Sequence, residues 1–315
     1  MAHLHDPIAA AAYRAARDIA PIMAMASDTS LTTVPGAGGL PMVVLTAADG
    51  ARAGVYLHGA HVTSWVPVAG LPDRLFLSAA SRFAPGTPIR GGVPVCFPQF
   101  ADQGPLPMHG FARTVAWDLV RAGTIAGGAA QAVLSLSDSA ATRALWPHAF
   151  ALEFTVTVTR EALSLALAVT NTGAAPFAFT GALHTYLRVA DIAATSVRGL
   201  AGARYRDKVT KDADVAETAA ALAIDRPLDR VYHAAPDPVL VTEPQRTLAV
   251  RAAGFPDTVI WNPGPARGPA PPGPPSDLEP DAFRRMLCVE AAAARAPIVV
   301  APQATWRGTQ TLRVA

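Results

Sequence analysis

The chain of 315 residues carries only two cysteines, Cys96 and Cys288. Two cannot form a disulfide framework, and neither sits in a CxxC or Cys/His cluster that would hold zinc, so both are expected to be small buried thiols in a reducing compartment. Charge is scarce too: 16% of residues are charged, and 26 Lys and Arg against 24 Asp and Glu leave a formal net charge of +2. No strong field of one sign exists to gather nucleic acid or anionic lipid, which points to a small ligand. Long apolar runs are missing despite a hydrophobic content of 51%. Gly, Pro or a charge breaks each run before the roughly 18–20 residues needed to cross a bilayer. The expectation is a soluble, cytoplasmic, monomeric protein with no nucleic-acid or membrane partner.

The N-terminus lacks the Lys/Arg-rich start of a secretion signal. Arg14, Arg17 and Asp18 interrupt what would be its apolar centre, although Ala24-Met25-Ala26 imitates a cleavage site. Asp6 as N-cap, Pro7 at the first helical position and Pro21 as a stop predict a short helix over 6–20. Residues 1–27 are therefore expected to be a helical or partly disordered extension, and 28–315 a single domain.

From residue 40 onward, short runs of alternating apolar residues recur between Gly, Pro and Asn/Asp breaks, the period of half-buried strands. The clearest is a hairpin. Phe150, Leu152, Phe154, Val156 and Val158 share one face, Arg160-Glu161 turns, Leu163, Leu165, Leu167 and Val169 return, and Asn171-Thr172-Gly173 ends the second strand. Further strands are expected at 42–45, 55–65, 115–119, 133–136, 177–183, 239–241, 247–250, 258–261, 286–289, 298–300 and 309–314. After Pro21 only the Ala-rich stretch 212–223 suggests a longer helix. An all-β sandwich of large antiparallel sheets follows, since a parallel α/β fold needs a helix between most strands. The Pro/Gly-rich stretch 263–280 is expected to be a surface loop, as an insertion or as a flap over a site.

Residues able to do chemistry cluster in four places. Ile89-Arg90-Gly91-Gly92 opens a loop whose glycines permit close backbone approach and which projects one guanidinium; taken alone, Arg90 could equally pair with a local carboxylate. Met108-His109-Gly110-Phe111-Ala112-Arg113 puts an imidazole and a guanidinium four residues apart. Leu183-His184-Thr185-Tyr186 places a second imidazole at a strand end. Leu287-Cys288-Val289-Glu290 embeds a carboxylate in an apolar strand, at a desolvation cost of several kcal/mol unless it is paired, hydrogen-bonded or used. Glu290 could be a general base, its pKa raised by burial, or one half of a structural ion pair.

Six strings, IRGGVPVCFPQF, HGFAR, HTYLRV, PLDRVYH, DTVIWNP and CVE, occur here in that order, within a likeness that runs from about residue 40 to the C-terminus. Together they resemble the aldose 1-epimerase (galactose mutarotase-like) superfamily, and within it the hexose-6-phosphate mutarotase, or glucose-6-phosphate 1-epimerase, branch. The resemblance implies a β-supersandwich of large twisted antiparallel sheets. It also implies an isomerase that interconverts the α and β anomers of a hexose 6-phosphate, with no metal or other cofactor. Carried over by position, it makes His184 the general acid and Glu290 the general base, puts His109 and Asp229 on the sugar, and puts Arg90 and Arg113 on the phosphate. Two positions depart from the family pattern. Met108 stands where Gln often contacts ligand, and Ala291 to Ala294 follow the glutamate where Pro-Gly is common. The competing expectations are a mutarotase for free aldoses, a glycoside hydrolase using Asp229 and Glu290 as its carboxylate pair, a non-catalytic sugar-phosphate binder, and a structural β protein.

Overall fold

A computed structural model describes residues 33–234, 237–265 and 276–315. The expected N-terminal helix and the extension over 1–27 lie outside the described residues. Among the described residues strands dominate, and three sheets are built with every strand pair antiparallel. A four-stranded sheet uses residues 34–66, a nine-stranded sheet is built around the hairpin Phe150–Val158 and Ala162–Asn171, and an eight-stranded sheet is built around the long strand Met286–Val300. No helix among the described residues is long and apolar enough to cross a membrane.

The hairpin forms where its pattern places it. Phe150 pairs with Asn171 and Val158 with Leu163, and the alternate residues Phe150, Leu152, Phe154, Val156, Leu163, Leu165, Leu167 and Val169 are all buried in the main core. That core also takes Val43, Val55 and Trp65 from the smallest sheet and Leu287, Val289 and Ala291 from the eight-stranded one. One face of the eight-stranded sheet is therefore turned inward. Its other face carries separate apolar clusters, in which Met286 and Cys288 pack with Tyr186 and Phe76, and Ala292 and Ala294 pack with Cys96, Phe100 and Val231. Alternation along Met286–Ala292 thus sends Leu287, Val289 and Ala291 into the main core and the even-numbered side chains outward.

Several expectations change in detail. The run 55–65 is two strands, Arg52–Tyr56 and His61–Val66, because Gly59 and Ala60 take left-handed backbone angles of 71° and 48° between them. The strand expected at 115–119 starts only at Asp118, after a 3-10 turn over Ala112–Thr114. The runs 286–289 and 298–300 belong to one strand, whose register against Phe177–Leu183 shifts between Phe179 and Gly181. The Ala-rich stretch 212–223 is not helical; it forms two short strands, Val215–Ala216 and Ala221–Ala223. Tertiary contacts override its helix propensity, since the Glu217 amide donates to Ala203 and its buried carboxylate is held by Arg230 and Tyr232. Of the Pro/Gly-rich stretch 263–280, residues 263–265 and 276–280 are described. There Glu279 accepts from Ser78 Oγ and the Ala79 amide, which ties the loop back to the body of the protein.

Candidate active site

The strand Met286–Val300 delivers Glu290 to the outward face of the eight-stranded sheet, two residues from Cys288. Its neighbour Phe177–Leu183 pairs Leu183 with Ala291, and the next short strand, Tyr186–Arg188, pairs Tyr186 with Cys288. His184 and Thr185 occupy the break between those strands, and this register sets His184 beside Glu290. Three backbone bonds hold the break: the amides of His184, Tyr186 and Val289 donate to Pro94, Gly92 and Thr185 at 3.0, 2.9 and 3.1 Å. Thr185 turns inward and donates to Gln310, leaving the outward position to the imidazole.

His184 Nδ1 lies 3.4 Å from Glu290 Oε1. The two are close but not aligned for a hydrogen bond, so His184 Nδ1 and Glu290 Oε2 are buried without a hydrogen-bond partner. Burial first, then the charges of His109, Arg90 and Arg113, push the His184 pKa well below the usual histidine value. Burial, with the nearby Asp229 carboxylate, pushes Glu290 well above the usual carboxylate range, and Lys208 offsets part of that. Burial thus favours the uncharged form of both groups. His184 is also the one ion-pair contact of Glu290 among the described residues, so no arginine neutralises that carboxylate.

His109 arrives from a different part of the chain. Its backbone sits in the left-handed region at φ 65°, and at Gly110 a Cβ would lie 2.2 Å from the Phe97 carbonyl oxygen, so only glycine fits there. The Ala101 amide donates to His109 Nδ1 at 3.2 Å. Nδ1 must therefore be the acceptor, which leaves Nε2 as an N–H donor in the neutral ring. The ring stays neutral because burial, Arg113, Lys208 and Arg90 lower its pKa to about 3. Its centroid lies 5.2 Å from that of His184, edge to face.

Tyr186 joins the imidazole to Arg90: His184 stacks on the Tyr186 ring at 4.8 Å and 8°, and Arg90 Nη1 donates to the Tyr186 hydroxyl at 3.0 Å. Arg90 Nε is held at 3.0 Å by Asp277, from the end of the Pro/Gly-rich loop. The local carboxylate that sequence alone left open for Arg90 is therefore present. The Gly-Gly pair after Arg90 is explained by close approach, since a Cβ on Gly92, at φ 60°, would meet the Val62 carbonyl at 2.2 Å. Arg113 is buried with one bond, from Nη2 to the Met108 carbonyl at 2.7 Å, while its Nε has no partner. The Met108 side chain is 58% exposed, so this departure from the family pattern supplies a backbone acceptor and leaves its side chain in solvent. Asp229, on the strand Leu228–His233, stands opposite Trp261 and 3.7 Å from Lys208 Nζ.

His184 thus touches Glu290 and His109 and feels the charges of Arg90 and Arg113, while Glu290 feels that of Asp229. Sequence reasoning missed Lys208, Trp261 and Asp277 and gave Tyr186 no task. The string HTYLRV contained Tyr186 and DTVIWNP contained Trp261, but no spacing rule joins Lys208 or Asp277 to the site.

Residues 41–313 match the family model "Aldose 1-epimerase". A "Putative glucose-6-phosphate 1-epimerase" from Cenchrus ciliaris is 37% identical over 86% of this chain and 83% of its own. A protein of the same name from Escherichia coli K12 is 37% identical over 84% of this chain and 87% of its own. Among solved structures, a crystal structure described as a putative mutarotase from Salmonella typhimurium superposes with a TM-score of 0.77 at 33% identity, covering 88% of this chain and 90% of that one. A galactose mutarotase related enzyme from Lactobacillus acidophilus shares the fold at TM-score 0.67 and 13% identity, over 87% and 97% of the two chains. The chain belongs to the aldose 1-epimerase family. The expected isomerase class and mutarotase-like β-sandwich are borne out with it.

Proposed function

We propose that this protein interconverts the α and β anomers of a hexose 6-phosphate, with Glu290 as base and His184 as acid. The observation that carries the reading is the 3.4 Å approach of two buried proton-transfer groups, one from a strand and one from the break between two others, each with an atom that has no hydrogen-bond partner. Anomerisation needs such a pair. The base takes the C1 hydroxyl proton while the acid protonates O5, the C1–O5 bond opens to an aldehyde, and a half-turn about C1–C2 presents the other carbonyl face. The same two groups then run in reverse to close the ring. O1 and O5 share one carbon, so the two catalytic groups must be close neighbours, and they are.

Charge balance explains the resting state. Ring opening moves one proton onto Glu290 and one off His184, so the pair passes from imidazolium and carboxylate to imidazole and carboxylic acid without changing total charge. Burial favours the neutral form. A bound anion that offsets Arg90 and Arg113 relieves the part of the His184 shift that their charges add to burial, and so favours the ionic form needed to start the cycle. His109 offers Nε2–H and Asp229 a carboxylate to sugar hydroxyls. Arg113, buried with an unsatisfied Nε, is the guanidinium best prepared for phosphate oxygens, with Arg90 beside it.

The Asp277 pair favours a second reading, a mutarotase for free aldoses, because it already occupies one edge of Arg90. Saturation-transfer NMR of anomer exchange with glucose 6-phosphate, glucose and galactose separates the two. The first reading expects faster exchange with the phosphosugar, weakened by added salt. Equal rates for all three would reject it, and ligand-induced stabilisation without any exchange would leave only a sugar-phosphate binder.

A further inference from the structure

His184, Cys288 and Glu290 each offer one ligand atom, and the three atoms all lie within 4.8 Å of one another. Cys288 takes no part in the chemistry set out above, yet strand alternation puts its thiol on the same outward face as Glu290. Tetrahedral zinc with bonds of about 2.0–2.3 Å to N, O and S holds its donors roughly 3.3–3.7 Å apart. The His184 and Glu290 atoms stand at 3.4 Å already, so only the thiol has to close in. An independent observation points to a ligand between them: His184 Nδ1 and Glu290 Oε2 are buried without hydrogen-bond partners. These atoms are not committed to holding the fold together, and a small electrophile can take both.

We infer that the triad His184, Cys288 and Glu290 is a binding site for a thiophilic divalent cation, zinc above all, and that the cation switches the enzyme off by occupying its acid and base. A dication held by a thiolate and a carboxylate is a neutral unit, so the guanidinium of Arg113 does not repel it. Imidazole, thiolate and carboxylate together suit zinc or cobalt and not magnesium or calcium, which prefer oxygen donors alone. Sugar phosphate and metal compete for the same two groups, so each protects against the other. Cation binding does not depend on the catalytic reading; only the loss of activity does.

Cobalt is the probe for binding and zinc for inhibition. Chelator-treated protein titrated with Co²⁺ is expected to develop the near-ultraviolet absorption of a cobalt–thiolate bond. Cys96→Ala should keep this band, whereas Cys288→Ala and the closer-sized Cys288→Ser should lose it. Zn²⁺ is expected to stop anomer exchange, with chelator restoring it. Either Cys288 variant should exchange normally without metal and need at least about tenfold more zinc for half-inhibition. No cobalt–thiolate band in folded wild-type protein, or a band that survives both Cys288 substitutions, overturns the site. A band in a protein that exchanges no anomers would keep the site and sink the catalytic reading. Inhibition by zinc that is equal in wild type and both variants overturns the switch.

Discussion

Two long strands of this molecule obey the same two-residue period to different ends. Phe150–Val158 buries every second residue in the main core and leaves the alternate ones half-buried. In Met286–Val300 the first nine residues are all buried, with Leu287, Val289 and Ala291 in the main core and the even-numbered ones on the outward face. The first strand spends its alternation on stability alone. The second has a spare buried face, and there a carboxylate, a thiol and an imidazole meet without being neutralised. A one-sided strand reports its fold in its pattern, while a two-sided one can hide a site inside what looks like core.

The largest expected effect is chemical and sits on the outward face. Glu290→Gln should cut anomer exchange about 10²–10⁴-fold, and His184→Asn should do the same. Near-normal exchange in either variant, measured by saturation transfer, would overturn the assignment of base and acid. Stability should move the other way. Burial raises the Glu290 pKa, so as pH climbs past the ordinary carboxylate range the unfolded chain releases a proton that the folded one keeps, and the fold loses stability. Glu290→Gln removes that penalty. Its melting temperature should exceed that of the wild type at neutral pH, with the gap closing below about pH 4.

The hairpin should answer in the opposite way. Leu165, fully buried opposite Val156, anchors the nine-stranded sheet. Leu165→Ala should cost about 2–5 kcal/mol in denaturant unfolding while leaving exchange per folded molecule unchanged. A selective loss of turnover at unchanged stability would break the division between a structural strand and a working one.

That division also explains what could be read beforehand. The hairpin, its turn at Arg160-Glu161 and its end at Asn171 were legible because a single buried face fixes both period and register. Glu290 stood out because a carboxylate inside an apolar run is costly. The roles proposed for His109, Asp229 and the arginines came only from the family resemblance. The helix expected over 212–223 failed because Glu217 is bound by Arg230 and Tyr232, contacts that no local propensity encodes. Asp277 and Lys208 were out of reach for the same reason, since a loop and a distant turn bring them in. Cys288 was expected to be a small buried thiol and it is one; its offset of two from Glu290 in a strand also puts both on one face.

A smaller effect sharpens the contrast through pH. The folded protein holds the His109 pKa at about 3, whereas the unfolded chain titrates near 6.5. Between those values the unfolded state binds a proton that the native state refuses, so stability falls as pH drops through that window and is untouched above it. His109→Asn keeps a residue type that tolerates the left-handed backbone at this position. Its melting temperature should fall less steeply than that of the wild type from pH 6.5 toward 4. Parallel curves would mean that His109 is protonated in the native state and cannot present a neutral Nε2–H donor to the sugar.

The smallest effect concerns the junction between the outward face and the Pro/Gly-rich loop. Asp277 and Arg90 pair at 3.0 Å near the surface end of the loop, a contact assigned about 1 kcal/mol. Asp277→Asn keeps the shape and removes the charge. If Arg90 leaves Asp277 to take phosphate, releasing it in advance should lower KM for glucose 6-phosphate by up to about fivefold, since 1.4 kcal/mol is a factor of ten. Exchange of free glucose should not change, because no phosphate competes there for the guanidinium. An equal change for both sugars would mean that Asp277 acts through Tyr186 and the His184 ring stacked on it. An unchanged KM for both would leave phosphate recognition to Arg113, whose partnerless Nε is already buried and waiting for an acceptor.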